Sequence, residues 1–564
     1  MRRLGEIAGR LIGPRRAVWL ARFGKTPDTL VWQPEPPASG DAAAGRRLAA
    51  GVLLFEGRLV EATDNDPWSI EGSDSVWTNA LHGHGWLDDA VAAGDAETWD
   101  RLLTWVWTWL DRYGDGTGPG WRPELVARRL TRLIAHSVRI LRGQETERSQ
   151  QFFHALGFQT RYLSMSWHRT PPGLARIEAL AGLVYAMLSL EGAGKPTLRA
   201  IRELGRAANS AIGSDGAIPS RNPEELARIL ALLAWSARSL EDAGESPSTA
   251  QIDCIKRTAP VVRALRHADG ALARFHGGGT GRGLRLDAVL DEAQARGPAS
   301  LKTDRAMGFL RLLAGDTTAI IDAGDFSAKP AAETAHASGL GLELTAKAQP
   351  IIVGRGSGLA FGEGSARSAR RRPSASSVEI GERCPAALFK GAEAEPVARL
   401  YTTGRVAGRL DPDASGQWAL CSSTEYLEAF GLEIERRVHL TEDGNRLAGE
   451  DTILATTAEG RTKAASTSGE NGGLPIATRF HLHPDIRATR PLSGHAIVLT
   501  LPGGQRWRFQ ADADQVELEQ DRYFDQTRPQ PRAAIQIVAS THLIDYWGRI
   551  TWSFEQIPSG AALG

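Results

Sequence analysis

Cysteine is scarce in this 564-residue sequence, and the three that occur, Cys254, Cys384 and Cys421, lie far apart. Their spacing matches neither a disulfide framework nor the CxxC pattern of a metal site. The cysteines therefore predict neither a disulfide-stapled scaffold nor a thiolate zinc centre. They say little about the redox compartment.

An excess of charge of either sign is also missing, because Lys plus Arg and Asp plus Glu both number 66. No overall electrostatic field favours a nucleic acid or an anionic membrane, so we expect no nucleic-acid partner. One local exception is the basic cluster formed by Arg367, Arg370, Arg371 and Arg372. This cluster fits either a solvated loop or a contact with an anionic polymer.

Long hydrophobic runs are absent as well. No stretch approaches the ~20 apolar residues that a membrane-spanning helix needs, so we expect no transmembrane segment. The first 24 residues are basic and amphipathic, but they lack the run of roughly 7–15 apolar residues that forms the core of a secretory signal. The sequence predicts a soluble protein without a recognisable export signal.

The composition, 42% hydrophobic, is sufficient for substantial cores, and the length suggests several domains. Residues 1–70 form a basic lead-in followed by a proline-rich linker at 33–37. Residues 71–275 repeat amphipathic helical stretches with short Gly, Pro or Asp breaks. Short connections place successive helices antiparallel, in a bundle or a helical toroid. The predicted helices cover 97–113, 121–142, 147–164, 173–190, 196–210, 223–241 and 248–266.

The pattern changes after residue 275. Residues 276–300, which include the run Gly277-Gly278-Gly279, are predicted to be a linker. From 301 to 564, short segments of alternating apolar and polar residues are separated by turn signals. Many short antiparallel strands over this length indicate a large β-sandwich. The predicted strands cover 317–321, 340–344, 351–353, 376–380, 432–440, 496–501, 507–510, 516–518 and 534–538.

A single histidine, His336, lies at the head of the predicted strand that ends at Leu344, and a second strand returns through a turn marked by Pro350. This segment follows the change from helices to strands. A polar residue at such a change lies where a cleft between domains would open, and clefts of that kind favour ligands. His336 is therefore our first candidate for a chemical role.

Tryptophan is unusually frequent, with 16 Trp against 15 Phe and 7 Tyr. One interpretation is core packing between helices; the other is that one or two rings line a groove and stack on sugar rings. Trp86 and His84, in the string His82-Gly83-His84-Gly85-Trp86, are candidate substrate-binding residues, with packing at a helix end as the alternative. Seven tryptophans fall in one region, at 77, 86, 99, 105, 107, 109 and 121.

Several strings along the chain resemble the heparinase II/III family of polysaccharide lyases, in the branch common in alphaproteobacteria. Two lie in the helical part, Ser214–Pro223 and Arg266–Phe275, and three in the strand-rich part, Ala335–Ala337, Leu447–Asp451 and Arg479–Pro484. The resemblance implies an α/α helical toroid followed by an antiparallel β-sandwich. It also implies β-elimination of a uronic-acid polysaccharide, so the expected partner is an acidic polysaccharide or oligosaccharide.

β-Elimination needs a group that neutralises the uronate carboxylate, a Tyr or His that removes the C5 proton, and a Tyr or His that protonates the leaving oxygen. The resemblance implies three sandwich residues that can hold zinc. His336 matches the first, but the other two positions carry Gly354 and Ser376. Because zinc sites take three or four protein ligands, we expect no metal and no other cofactor.

The helical part offers its own candidates for handling a carboxylate. His136 follows Arg128 and Arg132, which share a helix face at i and i+4, and a guanidinium neutralises a carboxylate bidentately. A basic surface stripe is the alternative. His267, near the end of the helices, is a further acid–base candidate.

Arg221 and Asn222 are substrate-binding candidates at a helix start, with Asn222 at the cap position. His481 and His483, with Asp485, form a weaker metal-site candidate on a strand. Two points argue against this metal site: Pro484 limits the length of the strand, and the sequence does not identify a third ligand. None of the seven tyrosines can be placed near a site.

These observations favour a lyase that acts on an acidic glycan, with a non-catalytic glycan-binding or envelope protein on the same scaffold as the alternative. By resemblance, the protein is expected at the cell envelope or in the periplasm. Since no export signal is recognisable, the cytoplasm is the alternative.

Overall fold

The computed structural model describes most of the chain in two compact units. One unit comprises Met1–Gly216, Ala227–Ala259 and Arg282–Ala299; the other comprises Ala217–Leu226, Pro260–Gly281 and Ser300–Gly564. The start of the predicted lead-in, 1–12, and most of the proline-rich stretch lie outside the described residues. The described residues are 13–33, 35, 39–62, 66–70, 75–190, 194–297, 300–301, 303–325, 334–389, 399–401, 404–469, 473–491 and 496–558.

The first unit is built mainly from helices, together with one hairpin of β1 (Val52–Phe55) and β2 (Arg58–Glu61). Several helices begin at a side-chain cap; Asp95 accepts from the Thr98 N–H at 2.8 Å, as expected for an acidic N-cap. The α-helices up to residue 299 are Pro14–Ala21, Ala42–Ala49, Ser75–His82, Trp86–Ala93, Ala96–Tyr113, Pro123–Ala135, Ser137–Leu141, Thr146–Ser166, Leu174–Ser189, Gly194–Ala211, Pro223–Asp242, Thr249–Ala264 and Leu286–Ala295, with 3-10 turns at Pro67–Ser69 and Trp167–Arg169.

Two helical segments differ from the prediction. The helix expected over 121–142 breaks at His136, whose backbone leaves the helical region and ends Pro123–Ala135. The predicted linker at 276–300 contains the helix Leu286–Ala295. Its apolar face, with Leu286, Leu290 and Ala293 buried, follows helical spacing; the preceding glycines obscured that pattern.

The second unit contains two large antiparallel sheets. Both contribute to one hydrophobic core, in which Leu344 and Phe480 of one sheet and Ile453 and Phe554 of the other are fully buried. The unit is therefore a β-sandwich. Its strands are β3 Arg305–Ala306, β4 Phe309–Ala314, β5 Thr317–Asp322, β6 Leu342–Ala346, β7 Gln349–Val353, β8 Val378–Ile380, β9 Ala387–Phe389, β10 Arg399–Tyr401, β11 Val406–Asp413, β12 Gly416–Ser423, β13 Glu433–Thr441, β14 Arg446–Leu454, β15 Leu474–Leu482, β16 Arg487–Thr489, β17 Ile497–Thr500, β18 Arg506–Asp512, β19 Gln515–Tyr523, β20 Arg532–Leu543 and β21 Trp547–Ile557.

The strand order is β11-β12-β13-β14-β21-β18-β17-β16 in the eight-stranded sheet. The nine-stranded sheet runs β19-β20-β15-β7-β6-β5-β4-β3, with β8 beside β15; β9 and β10 form a separate pair. Short helical segments occur at Glu363–Ala369, Leu427–Phe430 and Ala458–Gly469, with 3-10 turns at Leu359–Phe361 and Arg372–Ser374.

The hairpin after His336 differs in detail from the prediction. His336 lies in a loop, and the strand itself begins only at Leu342. The return turn is Lys347-Ala348, both with positive φ, which matches the twist of a two-residue hairpin. Pro350 lies inside the returning strand β7.

A fully buried ion pair lies inside the sandwich. Arg436 on β13 donates to both carboxylate oxygens of Asp451 on β14, at 2.5 and 2.8 Å, and neither side chain is exposed. Asp451 also accepts from Thr478 of the other sheet at 2.9 Å and from the Trp552 indole at 3.0 Å. The pair thus links the two sheets through satisfied hydrogen bonds, the condition under which a buried charge is tolerated.

Replacing Arg436 by Met should destabilise the sandwich by about 3–5 kcal/mol, because Asp451 would be left buried without its counter-charge. Urea unfolding followed by circular dichroism measures this loss. The matched control is Arg508→Ala, which removes an exposed cross-strand pair with Glu555 and should cost about 1 kcal/mol or less. An equal loss of unfolding free energy in the two variants would contradict the larger contribution assigned to the buried pair.

Candidate functional site

The loop that carries His336 is held by buried arginines. Arg370 donates to the carbonyl of Ala335 at 2.9 Å, Arg372 donates to the carbonyl of Gly339, and Arg436 donates to the carbonyl of Leu340 at 2.6 Å. All three arginines are buried. Because backbone carbonyls accept these bonds, the three arginines fix the path of the loop at Ala335, Gly339 and Leu340.

A fourth arginine acts on the same loop through Asp322. Arg221 pairs with the fully buried Asp322, whose second carboxylate oxygen accepts from the Ser338 hydroxyl at 2.7 Å. The Asp322 carbonyl accepts from the Leu340 N–H at 2.8 Å. Burial opposes ionisation of Asp322, but Arg221 and His276 outweigh it and hold the pKa of this carboxyl far below its usual range.

His276 connects Asp322 to His336. The His336 backbone N–H donates to Nδ1 of His276 at 3.2 Å, so the proton of the neutral His276 ring is carried by Nε2. That nitrogen lies 3.3 Å from Oδ2 of Asp322. The two histidine rings stand edge to face, with centroids 6.4 Å apart.

The His336 side chain is half-buried and lines a small pocket of about 20 Å³ within the second unit. Its lining includes Arg274, Arg355 and Arg371 but no Asp or Glu. Among the residues that the structure describes, no hydrogen bond engages the ring nitrogens of His336. The pocket therefore presents a free imidazole beside three guanidinium groups.

Burial lowers the pKa of His336 to about 3, with His276 and Arg370 contributing in the same direction. The pKa of His276 is also lowered, again mainly by burial, although Asp322 opposes the shift. Both rings are consequently neutral at pH 7. Neutral His336 can accept a proton, but as a weak base.

The positions at which the family resemblance implies zinc do not fit a zinc ion. Gly354 supplies no side-chain donor. The hydroxyl of Ser376 donates to the Val353 carbonyl at 2.7 Å and accepts from the His481 N–H at 2.9 Å. His336 alone is available, whereas zinc requires three or four protein ligands, and the lining arginines repel a cation.

His267, the second predicted acid–base residue, is buried outside this pocket. Its Nδ1 lies 2.9 Å from the Thr318 hydroxyl, and its Nε2 lies 3.1 Å from a carboxylate oxygen of Glu343. Both ring nitrogens are thus engaged. The arrangement clamps the segment after the last long helix onto the sheet and leaves no nitrogen for a substrate.

Arg128, Arg132 and His136, predicted to handle a carboxylate, lie in the first unit and are paired with acids. His136 Nε2 is 2.8 Å from Asp88, which Arg132 also contacts at 3.1 Å. Arg128 forms a bidentate pair with Glu178 at 2.6 and 2.7 Å, and this pair raises the pKa of Arg128. Their charges are compensated within the first unit, and none of them is among the residues that line the His336 pocket.

Trp86 and His84, predicted to bind substrate, are core residues. They are 1% and 0% exposed, and the Trp86 indole donates to the Leu81 carbonyl at 2.9 Å. Burial of this kind leaves no ring face for a sugar. The helix-packing interpretation of the tryptophan-rich region therefore accounts for both residues.

Arg221 and Asn222, the remaining substrate-binding candidates, have structural partners. Besides Asp322, Arg221 donates to the carbonyls of Met307 and Gly324 at 3.0 and 2.8 Å. Asn222 caps the helix Pro223–Asp242, with Oδ1 accepting from the Glu224 and Glu225 N–H groups at 2.9 and 3.1 Å. Arg221 contributes to the pocket through Asp322 rather than by contact.

His481 and His483 are each tied to an acid. His481 pairs with Asp521, and His483 Nδ1 lies 3.5 Å from Asp485, whose other oxygen pairs with Arg532. Within the described part of the chain, no group of three or more His, Cys, Asp or Glu side chains is arranged to hold a metal ion. The same part contains no helix with the length and apolarity to cross a bilayer.

Sequence reasoning missed most of the residues that form the pocket. Arg274 stands in a string used for the family resemblance, but nothing in its spacing marked it as a ligand group. Arg355 and His276 carried no signal at all. Arg371 belonged to the basic cluster, which the structure divides: Arg370 and Arg372 are buried, while Arg367 and Arg371 are exposed.

Two solved structures have a fold similar to that of this chain. Heparinase III superposes with a TM-score of 0.65 at 12% identity, covering 98% of this chain and 92% of that one. A heparan sulfate lyase HepC mutant from Pedobacter heparinus gives 0.56 at 12% identity, covering 97% and 89%. The predicted helical toroid followed by an antiparallel β-sandwich is thereby confirmed.

Residues 296–553, which form the sandwich part, match the family described as Heparinase II/III-like, C-terminal. This confirms the resemblance drawn from the sequence. A relative along nearly the whole length is FtsZ-localized protein C from Caulobacter vibrioides, which is 27% identical over 536 residues, covering 94% of this chain and 91% of that protein.

Replacing His336 by Gln should make the stability of the protein less dependent on pH in the acid range. The folded-state pKa of His336, about 3, lies below the ordinary histidine value of 6.5. Between these two pH values the unfolded chain binds more protons than the folded protein, so wild-type stability falls as the pH falls. Urea unfolding at several pH values measures the free energy of unfolding as a function of pH. The slope of that plot should be smaller in the variant, by the equivalent of up to one proton. Parallel curves would contradict the lowered pKa.

Proposed function

We propose that this protein acts on a uronic-acid-containing glycan by metal-free β-elimination at the pocket of His336. The observation that supports the proposal is the composition of the lining, in which Arg274, Arg355 and Arg371 surround a neutral histidine without any acid. Arginine is suited to neutralise the carboxylate that would otherwise keep the C5 proton from being acidic.

In this mechanism His336 removes the C5 proton, and the electron pair of the broken C–H bond forms the C4–C5 double bond as the C4–O bond breaks. The departing oxygen takes a proton from water or from the histidinium. The negative charge of a bound uronate favours the protonated imidazole, so the substrate itself raises the basicity of His336. The polysaccharide lyase-like scaffold of the sandwich is consistent with this chemistry.

Incubation with a panel of uronate polysaccharides should produce the ultraviolet absorbance of the conjugated C4–C5 double bond. His336→Ala should lower the rate roughly 10²-fold or more, as loss of general acid–base catalysis does. The control is His542→Ala, an exposed histidine on β20, which should leave the rate unchanged. An unchanged rate in His336→Ala would remove His336 from the mechanism.

A second function, glycan binding without catalysis, is favoured by three observations. The low pKa makes His336 a weak base, no tyrosine is among the pocket-lining residues of the described chain, and the zinc positions carry Gly354 and Ser376. The name of the relative FtsZ-localized protein C states a location and no activity. A cell-envelope protein that recognises a glycan would fit these features.

Catalysis and binding without catalysis are distinguished by measuring two quantities on the same protein: its retention on a polysaccharide gel and the formation of unsaturated product. A non-catalytic binder should be retarded on an acidic-polysaccharide affinity gel without producing ultraviolet-absorbing fragments. Arg371→Gln should weaken its retention, because an exposed cation of the pocket is removed, whereas His336→Ala should not. Product formation would overturn this second function.

We also propose that the protein works at the cell envelope, where acidic glycans occur. Fractionation of cells followed by immunodetection tests this, and recovery in the envelope or periplasmic fraction is the expected result. Recovery only in the cytoplasmic fraction would contradict it and would change the glycans that are available as ligands.

A further inference from the structure

A larger cavity lies within the helical unit. Its volume is about 420 Å³, which falls in the range of about 300–1,000 Å³ that is typical of small-ligand sites. It lies between the helices Pro223–Asp242 and Leu286–Ala295 and a segment that includes Trp32, Gln33 and Glu35. All of its lining residues belong to the first unit, and none of them lines the pocket described above.

Two tryptophan rings form the apolar wall of this cavity. Trp235 is half-buried, and Tyr185 packs against one face of its ring, with centroids 4.6 Å apart and planes at 30°. Because Trp235 also lines the cavity, the opposite face of its ring is the one that the cavity meets. Trp32, half-buried as well, stands edge-on to the same Tyr185 at 6.4 Å. A flat apolar surface, bordered here by Ala231 and Ala234, suits the apolar side of a sugar ring.

Hydrogen bonds hold this wall in place. The indole N–H of Trp235 donates to the Glu35 carbonyl at 3.0 Å, so the one polar atom of that ring is already used. Gln33, next to Trp32 in the chain, donates through its side chain to the Ala135 carbonyl at 2.7 Å. The wall is therefore formed before a ligand arrives, which lowers the ordering cost of binding.

The charged side chains that line the cavity are balanced among themselves. Arg238 lies 3.7 Å from Asp242 and 3.5 Å from Glu292. Glu292 also pairs with Arg296 at 2.7 Å. The two remaining charged residues of the lining carry opposite signs, namely Glu35 and Arg285. Because neither sign is in surplus, the cavity favours an uncharged ligand, and the paired groups offer it both hydrogen-bond donors and acceptors.

We propose that this cavity is a binding site for a short neutral saccharide, which stacks on Trp235 and directs its hydroxyls to the charged side chains. Hydroxyl groups both donate and accept hydrogen bonds, so they match a lining that contains both carboxylates and guanidinium groups. A purely aromatic ligand would cover the ring face but leave those polar groups without partners. The site goes beyond the proposed function, because it takes an uncharged sugar in the helical unit and requires no catalysis at His336.

Saturation-transfer difference NMR of the full-length protein with maltose, cellobiose and N,N′-diacetylchitobiose tests the proposal. Saturable binding of at least one disaccharide is expected, and it should persist in His336→Ala. The absence of saturable binding of all three would overturn the proposal, including the case in which indole or tetramethylammonium binds instead. Loss of the disaccharide signal in His336→Ala would also overturn it, because the sugar would then lie in the pocket of His336.

Ala288→Trp should abolish the binding, because a bulky side chain at this exposed lining residue fills the cavity without removing a core contact. The matched control, Ala295→Trp, places the same side chain at an exposed position of the same helix that does not line the cavity, and it should bind like the wild type. Trp235→Leu should weaken the binding roughly tenfold or more, since it removes the stacking face. Wild-type binding in Ala288→Trp would contradict the location of the site.

The results separate this site from the elimination mechanism. Disaccharide binding that Ala288→Trp blocks, without cleavage of any uronate polysaccharide, would sustain the neutral-sugar site and contradict the lyase function. Cleavage of a uronate polysaccharide that is lost in His336→Ala, with no disaccharide binding to the wild type, would sustain the lyase function and contradict the neutral-sugar site.

Discussion

The sandwich and its pocket both depend on buried guanidinium groups whose charge is matched inside the protein. Arg436 and Asp451 join the two sheets, and the same arginine fixes the carbonyl of Leu340. Arg372, paired with Glu425, fixes Gly339. Such pairs add little net stability relative to apolar packing, but they dictate one arrangement of the backbone. Loop residues around His336 are therefore placed by the core rather than by their own conformational preferences.

Helices and strands with a strong hydrophobic periodicity were predicted from the sequence. Strands in which buried charged residues interrupt that periodicity were missed. The helix predicted at 97–113 is Ala96–Tyr113 in the structure, because its apolar positions repeat at helical spacing. Strand β14 was missed: it carries the buried Asp451 among polar residues, and a single sequence does not reveal that Arg436 compensates it. The site was also predicted only in part. His336 was identified from its sequence string, but its arginine neighbours come from segments that are distant in sequence.

Residue type alone was a poor guide to role. Arg128, Arg132 and His136 have the composition of a carboxylate site, yet Glu178 and Asp88 occupy them. Arg274 and Arg355 also have acidic partners, Glu343 and Asp521, yet both arginines line the pocket of His336. Only the three-dimensional contacts reveal this difference.

The distribution of tryptophan has a consequence for how this protein can be observed in solution. Twelve of the sixteen tryptophans lie in the helical unit, and the sandwich contains only Trp418, Trp507, Trp547 and Trp552. No tryptophan lines the His336 pocket in the described part of the chain. Intrinsic fluorescence is therefore dominated by the helical unit, and occupancy of the pocket would be nearly silent to it. A single tryptophan introduced at the pocket rim would give the sandwich an optical signal of its own.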